Sequence, residues 1–259
     1  MAILEIFTAE SPRLRFQEIA QKTGLPKATV FRFLRTLVTL NYIRFDPESK
    51  TYSPGARVMS LGFAVLSSLD LRDIARPYLE ELSRITKQTV NLGILDNTEV
   101  VYIERVKKRR VVSSDFHIGS RLNIYLSSMG RAILAFMDHE EFNVLLNDIL
   151  KNGQAVKYIG QNGERLMEII EDVRHKGYAI NDQEYFRGLR AAAAPVLNKK
   201  GMAEAAINMP VFSNMITRKE LVEKYVPLLV KTAEDISMAR GYSKDRTDIG
   251  ALNKQGASR

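Results

Sequence analysis

Apolar residues in the first 53 positions recur twice at helical spacing and then at the alternate spacing of a strand. The first pattern predicts a helix over Phe16–Lys22, and Gly24 and Pro26 mark a tight turn after it. A second helix is expected to continue to about Leu40. Its expected buried stripe consists of four apolar residues on one side: Val30, Phe33, Leu34 and Leu37. Two helices joined by a tight turn predict a helix–turn–helix.

Two short alternating segments after the second helix predict a β-hairpin, or wing. Residues 42–45 alternate, Asp46-Pro47-Glu48-Ser49 supplies turn residues, and residues 50–53 return. Such a hairpin either carries basic side chains to a DNA backbone or only covers the core of the two helices. Arg44 and Lys50 are the basic residues that the first alternative would use.

The second helix also has a face that is short, polar and cationic. Ala28 is small and lies near the helix start, while Arg32 and Arg35 can donate hydrogen bonds to guanine or to phosphate. The alternative is an ordinary amphipathic surface helix with a solvated charged face. We predict that DNA contacts come from this face, its flanks and the wing: Lys27, Ala28, Thr29, Phe31, Arg32, Arg35, Arg44 and Lys50.

The chain after the wing divides into an apolar helical connector and a larger unit. The connector is expected to form a linker helix, which either pairs with its counterpart in a second chain or packs on its own domain. An amphipathic helix over Leu71–Thr86 then begins a region of hairpin strands and grouped helices, which indicates an α+β fold. We expect a winged helix–turn–helix at 1–54, the linker at 55–69, the α+β domain at 70–242 and a disordered tail at 243–259.

The composition indicates a polyanionic partner and argues against several kinds of active site. The 259 residues carry a net charge of +8, spread along the chain, which suits a polyanion such as DNA. There is no cysteine, the three histidines are far apart, and no nucleophile-elbow or phosphate-loop motif occurs. We therefore predict no catalytic residue, no metal site and no cofactor. For Asp182 and Glu184, a solvated loop or a contact that orders a ligand is preferred to an acid–base pair.

No apolar run approaches the roughly 20 residues that a membrane span needs. The first residues predict a short helix rather than a signal peptide. We therefore expect a cytoplasmic protein without a membrane partner.

The segment Ser127-Ser128-Met129-Gly130 precedes another expected helix. Serine at this place can cap the helix, and the free backbone N–H groups of a helix start can hold an anion. From the residues alone, capping without a ligand is the more common situation.

Four blocks of sequence carry a resemblance to a known family. They are TGLPKATVFRFLRTL, LNYI…YSPG, GSRLNIYLSSMGRAILA and GYAINDQEYFRGLRAAAAPV. In this order they resemble the IclR (isocitrate lyase regulator) family of bacterial transcription factors, over almost the whole chain. The resemblance implies a winged helix–turn–helix, a linker helix and a GAF-like effector-binding domain of α+β fold. It also implies a homodimer or homotetramer that binds operator DNA and a small organic acid.

The same resemblance implies the lining of an effector pocket. The positions that match are Ser128, Met129, Asn181, Asp182, Leu189, Ala191, Asn208 and Pro210. The run Ala191–Ala194 either leaves room for a bulkier ligand or permits close helix packing. The SSMGRA segment resembles regulators of aromatic-acid catabolism, so we expect a carboxylate of aromatic or sugar-acid origin. The expected function is transcriptional regulation modulated by that acid; the alternatives are an architectural DNA-binding protein without effector or, less favoured, a small-molecule enzyme.

Overall fold

The computed structural model describes residues 2–8, 10–67, 69–108 and 116–243, apart from the side chains of residues 63 and 67. The chain divides into two compact units, Met1–Leu69 (unit 1) and Asp70–Arg259 (unit 2). From residue 244 onwards, the tail predicted from the sequence lies outside the described residues. Among the residues described, no helix has both the length and the apolar content needed to cross a membrane.

Unit 1 is helical with a small antiparallel sheet of strand order β1-β3-β2. Its elements are α1 (Ala2–Glu5), β1 (Leu14–Arg15), α2 (Phe16–Thr23), α3 (Lys27–Thr39), β2 (Ile43–Asp46), β3 (Thr51–Pro54) and α4 (Arg57–Ser67). The turn between α2 and α3 follows from local geometry, because Gly24 adopts the left-handed conformation (φ 66°) that glycine tolerates at a helix end. The sequence pattern does not indicate β1, since two residues are too few to show alternation.

The core of unit 1 is formed by side chains from α1, α2 and α3 and from strands β1 and β2. Its buried members are Ile3, Leu14, Ile19, Val30, Leu34 and Ile43. The prediction that Phe33 belongs to the buried stripe of α3 is wrong, because this side chain is 51% exposed. Phe33 lies about 60° around the helix from Val30, so it falls at the edge of the stripe rather than in its middle.

Unit 2 is built on a six-stranded antiparallel sheet of order β6-β5-β4-β9-β8-β7. Its strands are β4 (Val90–Asp96), β5 (Glu99–Val106), β6 (Arg121–Asn123), β7 (Ala179–Asp182), β8 (Leu189–Leu197) and β9 (Ala203–Phe212). Its helices are α5 (Asp70–Thr86), α6 (Ser128–Ala135), α7 (His139–Leu150), α8 (Gly153–Ile159), α9 (Glu164–Lys176), α10 (Arg218–Glu220), a π-helical turn (Leu221–Tyr225) and α11 (Val226–Ala239). The short β6 and α8 are not indicated by the sequence pattern.

The helices of unit 2 form two groups. Helices α5 and α11 pack on each other and on the sheet, while α6 packs on β8 and β9 and against α9. The core around α6–α9 includes Ala193 and Ala206. Successive residues of a strand point to opposite faces, so Ala192 and Ala194 point away from that core. Since these two alanines are at most 1% exposed, close packing accounts for them.

Candidate functional site

Helix α3 presents an exposed face opposite its buried stripe. The side chains of Lys27, Ala28, Phe31, Arg32 and Arg35 are exposed, and that of Thr29 is half-buried. Within the described part of the chain, neither Arg32 nor Arg35 forms an ion pair. Both guanidinium groups are therefore available to an external anion, since no carboxylate among the described residues pairs with them.

The wing beside α3 is held by its turn. The Asp46 carboxylate accepts the backbone N–H of Glu48 at 3.0 Å and the hydroxyl of Ser49 at 2.6 Å. The hydrogen bond from Ser49 is the main reason why the pKa of Asp46 lies below its ordinary value. Arg44 and Lys50, the two basic residues predicted to contact DNA, are exposed on either side of this turn.

Unit 2 contains a cavity of about 420 Å³, including its open mouth. It is lined by residues from β5 to β9 and from the segment that leads into α6. Six of the predicted effector residues line it: Ser128, Asn181, Leu189, Ala191, Asn208 and Pro210. Met129 and Asp182 do not, because the Met129 side chain is fully buried in the core and Asp182 is bound to Arg190.

One end of the cavity is the N-terminus of α6. The Ser127 hydroxyl caps the helix by accepting the backbone N–H of Gly130 at 3.0 Å. The N–H groups of Ser128 and Met129, at the first two helical positions, lie outside the repeating hydrogen bonds of the helix. A Cβ on Gly130 would lie 1.9 Å from the carbonyl oxygen of Ile124, so only glycine fits here. This glycine brings the helix start against the backbone before it.

The buried amide of Asn208 and the phenol of Tyr102 form the other polar part of the lining. Asn91 on β4 donates from Nδ2 to Oδ1 of Asn208 at 2.7 Å, and Nδ2 of Asn208 lies 3.5 Å from the hydroxyl of Tyr102. Burial raises the pKa of Tyr102 to about 12, against opposing effects from Asn208 and from the charge of Arg105. The phenol is therefore neutral and can donate or accept a hydrogen bond at physiological pH. Asn91 and Tyr102 are not predicted by the sequence pattern, since only strand pairing brings them beside Asn208.

An aromatic cluster forms one wall of the cavity. The rings of Tyr102 and Phe116 are 5.9 Å apart, those of Phe116 and Phe186 are 5.5 Å apart, and those of Tyr185 and Phe186 are 4.8 Å apart. All four side chains line the cavity. None of them is among the predicted site residues, although two adjacent aromatic residues in a polar loop between β7 and β8 are a signal that points to such a role.

Two arginine–carboxylate pairs hold the loop between β7 and β8. The buried Arg131 of α6 donates to both carboxylate oxygens of Glu184, at 3.0 and 2.7 Å, and Nη2 also contacts the hydroxyl of Tyr158 at 2.7 Å. Burial raises the pKa of Glu184, but the hydrogen bonds from Arg131 and Tyr158 outweigh it and lower this pKa to about 2. Asp182 pairs with Arg190 at 2.8 Å.

These pairs bear on the acid–base alternative for Asp182 and Glu184. Each carboxylate forms an ion pair with an arginine, Asp182 with Arg190 and Glu184 with Arg131, and neither lines the cavity. A general base needs a pKa near the working pH, and a carboxyl with a pKa of about 2 is a poor one. Glu184 is better described as a residue that positions the loop carrying Tyr185 and Phe186.

Comparison with known proteins assigns both units. The model of the IclR helix-turn-helix domain matches residues 1–47, and the model of the bacterial transcriptional regulator IclR C-terminal domain matches residues 63–238. The chain belongs to the IclR family. It is therefore a transcriptional regulator with a DNA-binding helix–turn–helix and an effector-binding α+β domain.

Individual IclR relatives agree with this assignment. The chain is 32% identical to the Pca regulon regulatory protein of Pseudomonas putida over 237 residues, which are 91% of this chain and 80% of that protein. An IclR family transcriptional regulator from Brucella abortus is 31% identical, with a TM-score of 0.77 over 92% of this chain and 89% of that one.

A third, more distant structure is an IclR homologue from Microbacterium hydrocarbonoxydans complexed with 4-hydroxybenzoate. It is 21% identical, with a TM-score of 0.74 over 93% of this chain and 97% of that one. At this level of identity, the likeness bears on the fold alone.

The Pseudomonas and Brucella relatives are regulators, which points to a role other than catalysis for this chain.

Proposed function

We propose that this IclR regulator binds operator DNA through α3 and the wing, and that a small organic acid in the unit 2 cavity modulates the binding. The observation that carries the effector part is the cavity itself. It joins the N-terminus of a buried helix, a wall of aromatic rings and the buried amide of Asn208, which accepts a hydrogen bond from Asn91 outside the lining. Such a lining suits a planar or slender body with a carboxylate at one end.

The proposed contacts with DNA divide by chemistry. Arg32 and Arg35 would lie on base edges in the major groove, with Ala28 and Thr29 allowing close approach of the helix and Phe31 at its flank. Lys27, Arg44 and Lys50 would contact phosphates and fix the register. Seven of these eight residues are exposed and Thr29 is half-buried, so their side chains are accessible to a DNA partner.

The proposed effector contacts likewise follow from the lining. The carboxylate would accept the N–H groups of Ser128 and Met129, while Asn181, Leu189, Ala191 and Pro210 surround the body of the acid. Asp182 would act indirectly, because it holds Arg190 beside the cavity. Asn208 would recognise the distal polar group. The complex of the Microbacterium hydrocarbonoxydans homologue makes 4-hydroxybenzoate a suitable probe.

Oligomerisation through α4 is a further part of the proposal. Met59, Leu61 and Val65 on this helix are 66%, 49% and 60% exposed, which is a large apolar surface for one helix. We propose that α4 pairs with a second chain, giving a cytoplasmic homodimer or homotetramer whose two recognition helices read half-sites about 34 Å apart. Sedimentation showing only monomer at micromolar concentration would overturn this pairing.

Calorimetry of the intact protein with 4-hydroxybenzoate tests the effector proposal. We expect saturable binding to the wild type, and about tenfold weaker binding to Ala191→Leu, because a larger side chain fills the cavity without changing charge. Operator binding without ligand should be unchanged in this variant, which serves as the control for its folding. If 4-hydroxybenzoate and a panel of aromatic and sugar acids give no heat, the effector proposal is wrong and an architectural role without effector is favoured.

A further inference from the structure

Three polar residues occupy paired positions on three neighbouring strands, and one of them belongs to the cavity lining. Arg105 on β5 is the Cα partner of Asn91 on β4, and Asn91 is the partner of Asn208 on β9. Asn208 lines the cavity, and Asn91 donates a hydrogen bond to it. We call Arg105, Asn91 and Asn208 the polar row. It extends from the cavity lining, through a fully buried amide, to an arginine.

Two atoms of this polar row are buried and lack a hydrogen-bond partner: Oδ1 of Asn91 and Nε of Arg105. Asn91 is 0% exposed, so water at the protein surface does not satisfy its amide oxygen. Buried polar atoms in proteins are nearly all hydrogen-bonded, and an unpaired one is costly. An unpaired acceptor and an unpaired donor on directly paired residues, one of which is hydrogen-bonded to the cavity lining, point to a polar binding subsite.

The charge of Arg105 also has no counter-charge in the described part of the chain. Among the described residues no carboxylate pairs with this half-buried guanidinium, and burial lowers its pKa. The neighbouring Glu104 does not serve, because its Oε2 lies 3.0 Å from Nε of Arg72. By contrast, Arg190 in the cavity lining is neutralised by Asp182. Arg105 thus differs from Arg190 in having a positive charge that an anion could still neutralise.

We infer that the polar row is a second subsite of the effector cavity, at which Arg105 binds a second anionic group, so that the preferred effector is a dicarboxylate. One carboxylate would lie on the N-terminus of α6 and the other would reach Arg105 past Asn208 and Tyr102. This inference rests on the proposed function, since it specifies the acid that the cavity takes. Dicarboxylates with aromatic and with aliphatic bodies share this chemistry.

Two matched pairs of probes test the inference by calorimetry on the intact protein. Benzoate and terephthalate share a ring, hexanoate and adipate share a chain, and each pair differs only in the second carboxylate. In the pair that fits the cavity, we expect the wild type to bind the dicarboxylate about tenfold or more tightly than the monocarboxylate, because a hydrogen bond to a charged group is worth that much.

The variants Arg105→Gln and Arg105→Lys separate this subsite from the rest of the cavity. Arg105→Gln should lose the preference for the dicarboxylate and bind the monocarboxylate as the wild type does, while Arg105→Lys should keep part of the preference. Arg84→Gln is the matched control, since Arg84 pairs with Glu81 on the exposed surface of α5 and the same charge is lost. Its affinities should equal those of the wild type.

Thermal unfolding without ligand distinguishes a binding role of Arg105 from a structural role. If Arg105 stabilised the fold, its removal would lower the melting temperature. Removing an unpaired, partly desolvated charge should leave the melting temperature of Arg105→Gln equal to that of the wild type or raise it. Equal affinities for both members of each pair, an equal loss for both acids in Arg105→Gln, or a lowered melting temperature would overturn the inference. Binding of monocarboxylates in those cases would leave the proposed function intact. Absence of heat with all four acids would count against both the inference and the proposed function.

Discussion

Gly130→Ala is expected to destabilise unit 2 by about 3 kcal/mol, because the added carbon has no space. Its Cβ would lie 1.9 Å from the carbonyl oxygen of Ile124 and 2.6 Å from the Cα of the same residue. These are backbone atoms, so the strain cannot be relieved by a change of rotamer. Either the start of α6 or the segment before it must move, and both belong to the end of the cavity where the carboxylate is proposed to bind.

Gly153→Ala is the matched control for this substitution. Gly153 is the first residue of α8, and a Cβ there meets nothing within 4 Å. Its free energy of unfolding should change by less than about 1 kcal/mol. Denaturant unfolding of both variants checks the prediction, and a Gly130→Ala protein as stable as Gly153→Ala would contradict the close packing at Ile124.

Arg131→Met is expected to cost about 3 kcal/mol of stability at neutral pH, the lower end of the range for breaking a buried ion pair. The Arg131 side chain is only 3% exposed, whereas that of Glu184 is 29% exposed and can be partly hydrated after the change. The substitution also removes the hydrogen bonds that Arg131 donates to the carbonyl groups of Tyr125 and Ile180, each at 3.1 Å. The loop with Tyr185 and Phe186 should loosen, so effector affinity should fall as well.

The pH dependence of this effect has a definite sign. The pKa of Glu184 is lowered from 4.5 to about 2 in the folded protein, so its ionised form is stabilised by folding. That contribution is fully present above the ordinary pKa of 4.5 and is lost as the pH falls towards 2. The stability gap between wild type and Arg131→Met should therefore shrink on acidification through this range.

Arg76→Met is the control for Arg131→Met, since the pair of Arg76 and Glu80 is more than half exposed on both sides. Exposed pairs contribute little, so this variant should lose less than about 1 kcal/mol. Denaturant unfolding as a function of pH checks both variants. A gap that stays constant from neutral pH down to the acid range, or equal losses for the two variants, would contradict the stabilising role of the Glu184 pair.

Most helices and strands can be predicted from the sequence, because capping and turn residues agree with the apolar spacing in the long elements. Gly24, the stripe of Val30 and Leu34, and the turn at Asp46 each have a local cause that the residues themselves reveal. Short elements such as β6 and α8 escape prediction, because they are fixed by pairing and packing rather than by their own periodicity. The exposure of Phe33 is not predictable for a related reason, because a residue at the edge of a stripe is buried only if another element covers it.

The site is predictable in part. Ser128 and Asn208 follow from the family resemblance, but their neighbours depend on contacts between distant parts of the chain. Asn91 is 117 positions from Asn208 and meets it only because β4 pairs with β9. Arg131 and Glu184 are likewise brought together from α6 and the loop after β7. Ionic pairs of this kind leave no periodic signal in a single sequence.

Operator binding by Arg32→Ala, compared with Lys27→Ala at the same salt concentration, tests the central claim most directly. The DNA is a duplex that the wild-type protein selects from a random-sequence pool. If the cationic face of α3 reads base edges, Arg32→Ala should lose about 1–3 kcal/mol on the selected site and accept substitutions at one base pair. Lys27→Ala should weaken binding to all sequences alike and reduce the salt dependence. Unchanged affinity and unchanged sequence preference in Arg32→Ala would contradict the role of α3 in reading DNA.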